Sequence, residues 1–201
     1  MTKGLLILSI IIPLLTCYAC KDQKRQKMET VKPAEEKGGS SEADSAVVLE
    51  DWRFSFRLHS DKWKLLERGV EEAENKVGFC AYKREGIMND RGIMIEPVIS
   101  FIFENVPDST SLMMYEVFRR PKNLELDRAF IHENSVIELK RAIGWVGSYE
   151  RGGVKHIVKT VTAIDGRIGL LVIMDSTSGV FPKVEKEFDY TLKSMKFIPA
   201  N

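Results

Sequence analysis

The sequence predicts an α+β fold, in which an antiparallel sheet packs with one mid-chain helix and one C-terminal helix. Three observations carry this prediction. From about Val48 to residue 175 the chain reads as short strand segments, the first of which, Trp52 to Leu58, alternates apolar and polar residues, the period of half-buried strands. Gly152-Gly153 and Asp165-Gly166 separate three such segments, and both are strong hairpin signals. Phe181, Val184, Phe188, Leu192 and Met195 then recur at steps of three and four, the spacing of one helix face.

The elements follow in order. Trp52, Phe54, Phe56 and Leu58 alternate with Arg53, Ser55 and Arg57, which predicts one strand. His59 to Lys62 reads as a turn, and a second strand begins at Trp63. Val77 to Tyr82 forms a third, Glu85 to Gly92 a polar loop, and Val98 to Phe103 a buried strand with Pro97 at its start. Pro107 to Ser111 supplies helix-start chemistry, and Pro121 a stop. The helix between, residues 110–120, has Leu112, Met114, Tyr115, Val117 and Phe118 as its expected apolar side. Residues 128–139, 142–150, 154–164 and 168–175 read as strands. The final helix covers residues 181–194, with Pro182 suited to its first turn.

The N-terminus is of another kind. Lys3 precedes an apolar run from Gly4 to Ala19, which is short for a membrane span of about 20 residues and fits a secretory signal. Ala19-Cys20 resembles the processing site of bacterial lipoproteins, with Leu15 as an upstream apolar residue. The resemblance implies residues 1–19 as a signal peptide and lipid attachment, palmitate included, at Cys20. It also implies a place in the bacterial cell envelope, and Lys21 directly after the cysteine points to the outer membrane. Leu14-Leu15-Thr16-Cys17 offers an alternative frame, and an uncleaved signal anchor would give the same topology without lipid. Residues 20–47 then read as the lipidated cysteine and a polar tether, with almost no large apolar groups to offset ordering. Random-coil scaling gives such a tether a reach of roughly 25–30 Å. Lys21, Lys24, Arg25 and Lys27 cluster at its membrane end. The domain proper spans residues 48–201.

The order of elements is similar to that of PsbP-like domains. The features that carry this are Trp52-Arg53-Phe54-Ser55-Phe56 running into Asp61-Lys62-Trp63, the hairpin series over 142–175, and the closing helix ending Leu192-Lys193-Ser194-Met195-Lys196-Phe197. The resemblance implies an α/β/α sandwich. It implies no particular chemistry, because fold alone does not give function.

The formal charge is +1, and removal of residues 1–19 takes away Lys3 alone, leaving zero. That balance argues against a general nucleic-acid binder. Cys80 is the one cysteine of the domain, so no disulfide is expected within it. Nucleophilic catalysis would need Cys80 with His59, His132 or His156; Cys80 sits between Phe79 and Ala81 and reads as a core residue. No H-x-x-x-H, C-x-x-C, Walker or G-x-S-x-G pattern occurs in the domain. Glu71-Glu72-Ala73-Glu74 reads as a solvated turn, and Arg119, Arg120 and Lys122 complement the end of the mid-chain helix. The expectation is therefore no catalytic, cofactor or metal site. The leading functional reading is a membrane-anchored, non-catalytic binding or assembly module with an envelope protein as partner. A carrier of a small apolar ligand and an enzyme with a dispersed site near Cys80 are the alternatives.

Overall fold

The structure, a computed structural model, describes residues 46–72, 76–130 and 139–199. Cys20 and the whole N-terminal segment to residue 45 lie outside the described residues, as do Ala73, Glu74 and His132.

The chain opens with a hairpin of β1 (Ala46–Leu49) and β2 (Phe54–Arg57), then β3 (Trp63–Glu72) and β4 (Lys76–Arg84). A small hairpin, β5 (Ile87–Met88) and β6 (Met94–Ile95), leads to β7 (Val98–Asn105). Helix α1 (Leu112–Arg119) follows, then β8 (Glu125–Phe130), β9 (Ala142–Arg151), β10 (Val154–Asp165) and β11 (Ile168–Thr177). Helix α2 (Phe181–Ser194) and the short β12 (Lys196–Phe197) close the chain. The architecture is α+β, as the sequence predicts. Seven strands make one antiparallel sheet in the order β3-β4-β7-β11-β10-β9-β8, and β1-β2-β12 make a second.

The late hairpins explain the sheet order. Gly152 and Gly153 both take left-handed φ values, +58° and +74°, which few side chains tolerate. Their turn pairs Arg151 with Val154 and so fixes β9 against β10. The turn at Gly166 pairs Asp165 with Ile168 and fixes β10 against β11. The connection from β7 through α1 carries the chain to the far edge, and β8 to β11 meander back to lie beside β7.

The core lies on one face of the large sheet. Leu170, Val172 and Met174 of β11 meet Phe101 and Phe103 of β7, Phe54 and Phe56 of β2, and the apolar face of α2. All five positions picked out by their spacing are buried, four in α2 and Met195 just past its end. Each such side chain stabilises the fold by about 1.5–3 kcal/mol on burial. The polar flank of α2 is also tied down: Glu187 accepts from Trp63 Nε1 at 2.8 Å and Arg84 Nε at 3.0 Å, and Lys159 Nζ of β10 donates to Asp189 at 2.5 Å.

Four expectations need correction. The single strand expected over residues 52–58 is broken by a 3-10 turn at Glu50–Trp52, after which Arg53 has φ +46°. The turn closes the β1–β2 hairpin and lays Trp52 on Phe103, with ring centroids 5.4 Å apart. The loop at 85–92 contains β5, because Asn89 Oδ1 accepts from the N–H groups of Arg91 and Ile93, each at 2.9 Å, and folds the chain back. The strand expected over 128–139 begins earlier, at Glu125, and is described to Phe130; residues 131–138 lie outside the described set. The expected apolar side of α1 is, for the most part, its exposed side.

Candidate functional site

Alternation along the strands gives the large sheet a second face, opposite the core. On it lie Phe79 and Ala81 of β4, Val98, Ser100, Ile102 and Glu104 of β7, and Leu171, Ile173 and Asp175 of β11. Val158 and His156 of β10 and Trp145 and Tyr149 of β9 extend it. Val158, Leu171 and Ile173 are buried at its centre with Ile102 packed against them, while Phe79, Ala81 and Val98 around them are only half-buried. α1 covers one end of it, and α2 lies across the opposite face of the sheet.

α1 starts where Ser111 caps it, its hydroxyl accepting from Met114 N–H at 3.2 Å. Its inward side is largely polar. The Tyr115 ring lies over Gly169, where a Cβ would come within 2.5 Å of Tyr115 Cζ. Arg119 pairs with Glu104, a carboxylate only 6% exposed. Arg120 pairs with buried Glu116 at 3.4 Å and sits 5.8 Å over the Trp145 ring. Burial, and then the neighbouring Glu104 charge, hold the Tyr115 hydroxyl well above the ordinary phenol range, so it is neutral at physiological pH. With these inward contacts made, Met113, Met114, Val117 and Phe118 face out, at 62%, 53%, 55% and 65% exposure. Leu112 and Tyr115 alone of the expected apolar side pack inward, against Val106 and Ile164.

A polar cluster occupies the other end of the outer face. Tyr149 OH donates to Asp175 Oδ2 at 2.5 Å, and His156 Nδ1 lies 2.9 Å from Asp175 Oδ1. The Tyr149 and His156 rings stack with centroids 4.9 Å apart. Burial and the adjacent Asp175 charge raise the Tyr149 pKa. The carboxylate orients both rings and fixes the sheet register there. Asp175 lies six positions beyond Gly169 along β11, about 20 Å at strand rise. The α1 cluster and the His156 cluster are thus two separate ends of one face.

Of the histidines that the thiol alternative could use, His59 and His156 are described and His132 lies outside the described residues. Cys80 is 1% exposed and faces the core, with Arg68 and Phe101 as its cross-strand neighbours. Burial pushes its thiol up to about 12 against the opposing charge of Arg68, which disfavours the nucleophilic thiolate. His156 lies on the other face of the sheet. His59 makes an edge contact with Tyr190 of α2 at 5.3 Å. A crevice beside Cys80, lined by Leu49, Trp52, Phe79 and Phe103 among others, has a volume of about 10 Å³, room for no more than about one water. Arg119 and Arg120, which the sequence places at the helix end, are turned to internal carboxylates. Among the described residues no group of three or more His, Cys, Asp or Glu is placed to hold a metal, and no helix is long and apolar enough to cross a membrane.

The Tyr149–His156–Asp175 cluster escaped sequence reasoning, although its signal was present: the Gly152-Gly153 turn sets Tyr149 directly opposite His156.

No family model and no curated protein sequence matches the chain. Solved structures do. The crystal structure of LpqN, involved in cell envelope biogenesis of Mycobacterium tuberculosis, superposes with a TM-score of 0.51 at 16% identity, covering 77% of this chain and 90% of LpqN. A Pseudomonas aeruginosa protein of unknown function, PA94, gives 0.42 at 10% identity, covering 78% of this chain and 97% of PA94. A Bacteroides thetaiotaomicron structure gives 0.43 at 9% identity, covering 78% of this chain and 49% of its own. The likeness to LpqN is one of fold, and that fold is of a kind found in a bacterial envelope protein.

Proposed function

We propose that the chain is an envelope lipoprotein of the PsbP-like type, held on the outer membrane by a lipid on Cys20. Its domain acts as a non-catalytic binding or assembly module whose partner is an envelope protein. The observation that carries this reading is the outer face of the large sheet. It leaves Phe79, Ala81 and Val98 half-buried beside the buried cluster of Val158, Leu171 and Ile173, and bears a helix whose own apolar residues point away from the domain at 53–65% exposure. Contiguous exposed apolar surface of this kind marks contact sites. The involvement of LpqN in cell envelope biogenesis supports the setting, and the Ala19-Cys20 sequence supports the anchor.

In-cell crosslinking with a tag after Asn201 and the native N-terminus tests the reading. A reproducible, stoichiometric envelope protein is the expected outcome. Absence of a protein partner, together with a co-purifying small mass in native mass spectrometry, would replace the module by a ligand carrier. For the anchor, Cys20→Ala is expected to abolish fatty-acid labelling and to leave an unprocessed precursor; unchanged labelling would remove Cys20 as the lipid site.

A further inference from the structure

We infer that the outward face of α1 is a lipid-contact surface: Met113, Met114, Val117 and Phe118 rest in the headgroup region of the membrane to which the chain is tethered. The inference rests on the anchored reading above and deepens it. It assigns α1 to the bilayer and leaves the sheet part of the outer face to the protein partner.

The size of the patch comes first. Four side chains exposed by about half to two thirds amount to roughly 400–500 Å², the range of a functional surface patch. A stable protein dimer needs about 800 Å² from each partner, so a second copy docking on α1 alone would be undersized. A lipid surface needs no shape-matched partner, and a shallow helix face suffices to engage it.

Tethering supplies the rest. Residues 21–45 connect Cys20 to β1, a length of chain that spans at most about 90 Å. A lipidated chain therefore holds α1 at high effective concentration over the membrane, where a weak second contact adds to the first. Stable membrane attachment commonly combines two such signals.

Charge points the same way. The single acidic residue of α1, Glu116, is buried and paired with Arg120, so the outward side carries no carboxylate to be desolvated. Arg119 and Arg120 at the C-terminal end of the helix are taken up by the internal carboxylates, and Lys122 just beyond is exposed with no ion pair among the described residues. Asp108, beyond the other end, is paired with Arg167 at 3.6 Å. Long unbranched methionines adapt to a fluid, irregular environment.

The test places an environment-sensitive fluorophore on Val117→Cys, and separately on Lys186→Cys of α2, across the sheet from α1. Lys186 is exposed, and Cys80 is too buried to compete for label. Each full-length processed protein is reconstituted into vesicles of phosphatidylethanolamine and phosphatidylglycerol, with and without brominated acyl chains. The expected result is a blue-shifted Val117 probe that loses roughly half its emission to bromine, as for a side chain in the headgroup–acyl boundary, while the Lys186 probe is unaffected. Phe118→Asp in the same protein is expected to abolish the shift. A Val117 probe that stays water-like on vesicles to which the protein is bound overturns the inference, and so does quenching equal at both positions. A shift that requires an added envelope protein rather than lipid assigns α1 to a protein and overturns it too. Vesicle flotation reads the anchor separately. If the native chain does not float, the probes are read on a chain in which a hexahistidine tag replaces residues 1–20, bound to nickel-chelating lipid, so that failure of the Cys20 reading and failure of the α1 reading are distinct results.

Discussion

The two helices of this domain are both amphipathic by sequence, and the fold uses them in opposite senses. α2 puts Phe181, Val184, Phe188, Leu192 and Met195 into the core and leaves Lys186 and Lys193 outside. α1 turns Met113, Met114, Val117 and Phe118 to solvent and directs Glu116, Arg119 and Arg120 inward. The difference lies in what each helix meets. α2 faces an apolar sheet surface of Leu170, Val172 and Met174. α1 faces Glu104, a buried carboxylate that needs a cation, and Gly169, a gap that takes the Tyr115 ring. An apolar stripe shows that a helix has two sides; the receiving surface decides which side is inside.

The sharpest way to break the comparison is to truncate the same residue type on each helix. Phe188→Ala removes a ring with 0% exposure and is expected to cost about 3–5 kcal/mol, measured as a shift in urea midpoint with unchanged slope. An equal loss on truncating Phe118 would show that the α1 face is packed after all.

Next in size is the inward pair of α1. Arg119→Met leaves Glu104 buried without its cation, and such broken pairs cost about 3 kcal/mol. Amide exchange should rise chiefly in α1 and β7. Adding Glu104→Leu is expected to restore most of the stability, because the cost is that of a charge left alone rather than of a lost contact. If the double variant is no better than the single one, the pair does not hold α1 in its reversed orientation.

Much of this was legible in the sequence, and the parts that were not share a cause. Turn chemistry at Gly152-Gly153 and Asp165-Gly166 placed β9, β10 and β11 within about two residues at each end, because a two-residue turn leaves one register. α2 was legible because its stripe is unbroken and Pro182 starts it. The orientation of α1 was not, since Glu104 lies in β7 and Gly169 in β11, and the contacts of Arg119 and Tyr115 exist only once those strands pair. The turn at Glu50–Trp52 was hidden for a similar reason: Trp52 folds onto Phe103 through a space that Gly78 leaves open, where a Cβ would meet the indole Nε1 at 2.2 Å. The Tyr149–His156–Asp175 cluster was within reach, for the two turns that set the register also bring its residues together.

Alkaline pH offers a smaller and graded test on the α2 side of the sheet. The Cys80 thiol is pushed from 9.0 up to about 12 by burial. Below pH 9 the thiol is protonated in folded and unfolded chains alike, and its contribution is fully present. As pH rises from 9 towards 12 the unfolded chain releases this proton and the folded one retains it, so stability falls by up to about 1.4 kcal/mol per pH unit. Cys80→Ala is expected to lower stability overall through the cavity but to flatten that part of the alkaline slope. Tyr115, also raised by burial, adds a loss of the same sign above pH 10, which Tyr115→Phe should remove. Unchanged slopes in both variants would mean that neither group is shielded as the packing requires.

The smallest expected effect is the most telling for α1. Phe118→Ser replaces the most exposed ring of the helix, and Met114→Ser a neighbour on the same side; neither touches the packed interior. Each should change the unfolding free energy by no more than about 0.5 kcal/mol. The thermal midpoint is expected to stay within a few degrees of the parent at a domain of this size, while binding to hydrophobic-interaction resin falls. A stable variant with lower surface hydrophobicity would establish that the apolar stripe of α1 contributes nothing to folding. Natural sequences rarely keep four large apolar side chains together in water without use, so the stripe would then have to be accounted for by what the domain touches. A destabilisation approaching that of Phe188→Ala would instead place the stripe against part of the chain's own surface and return α1 to the same class as α2.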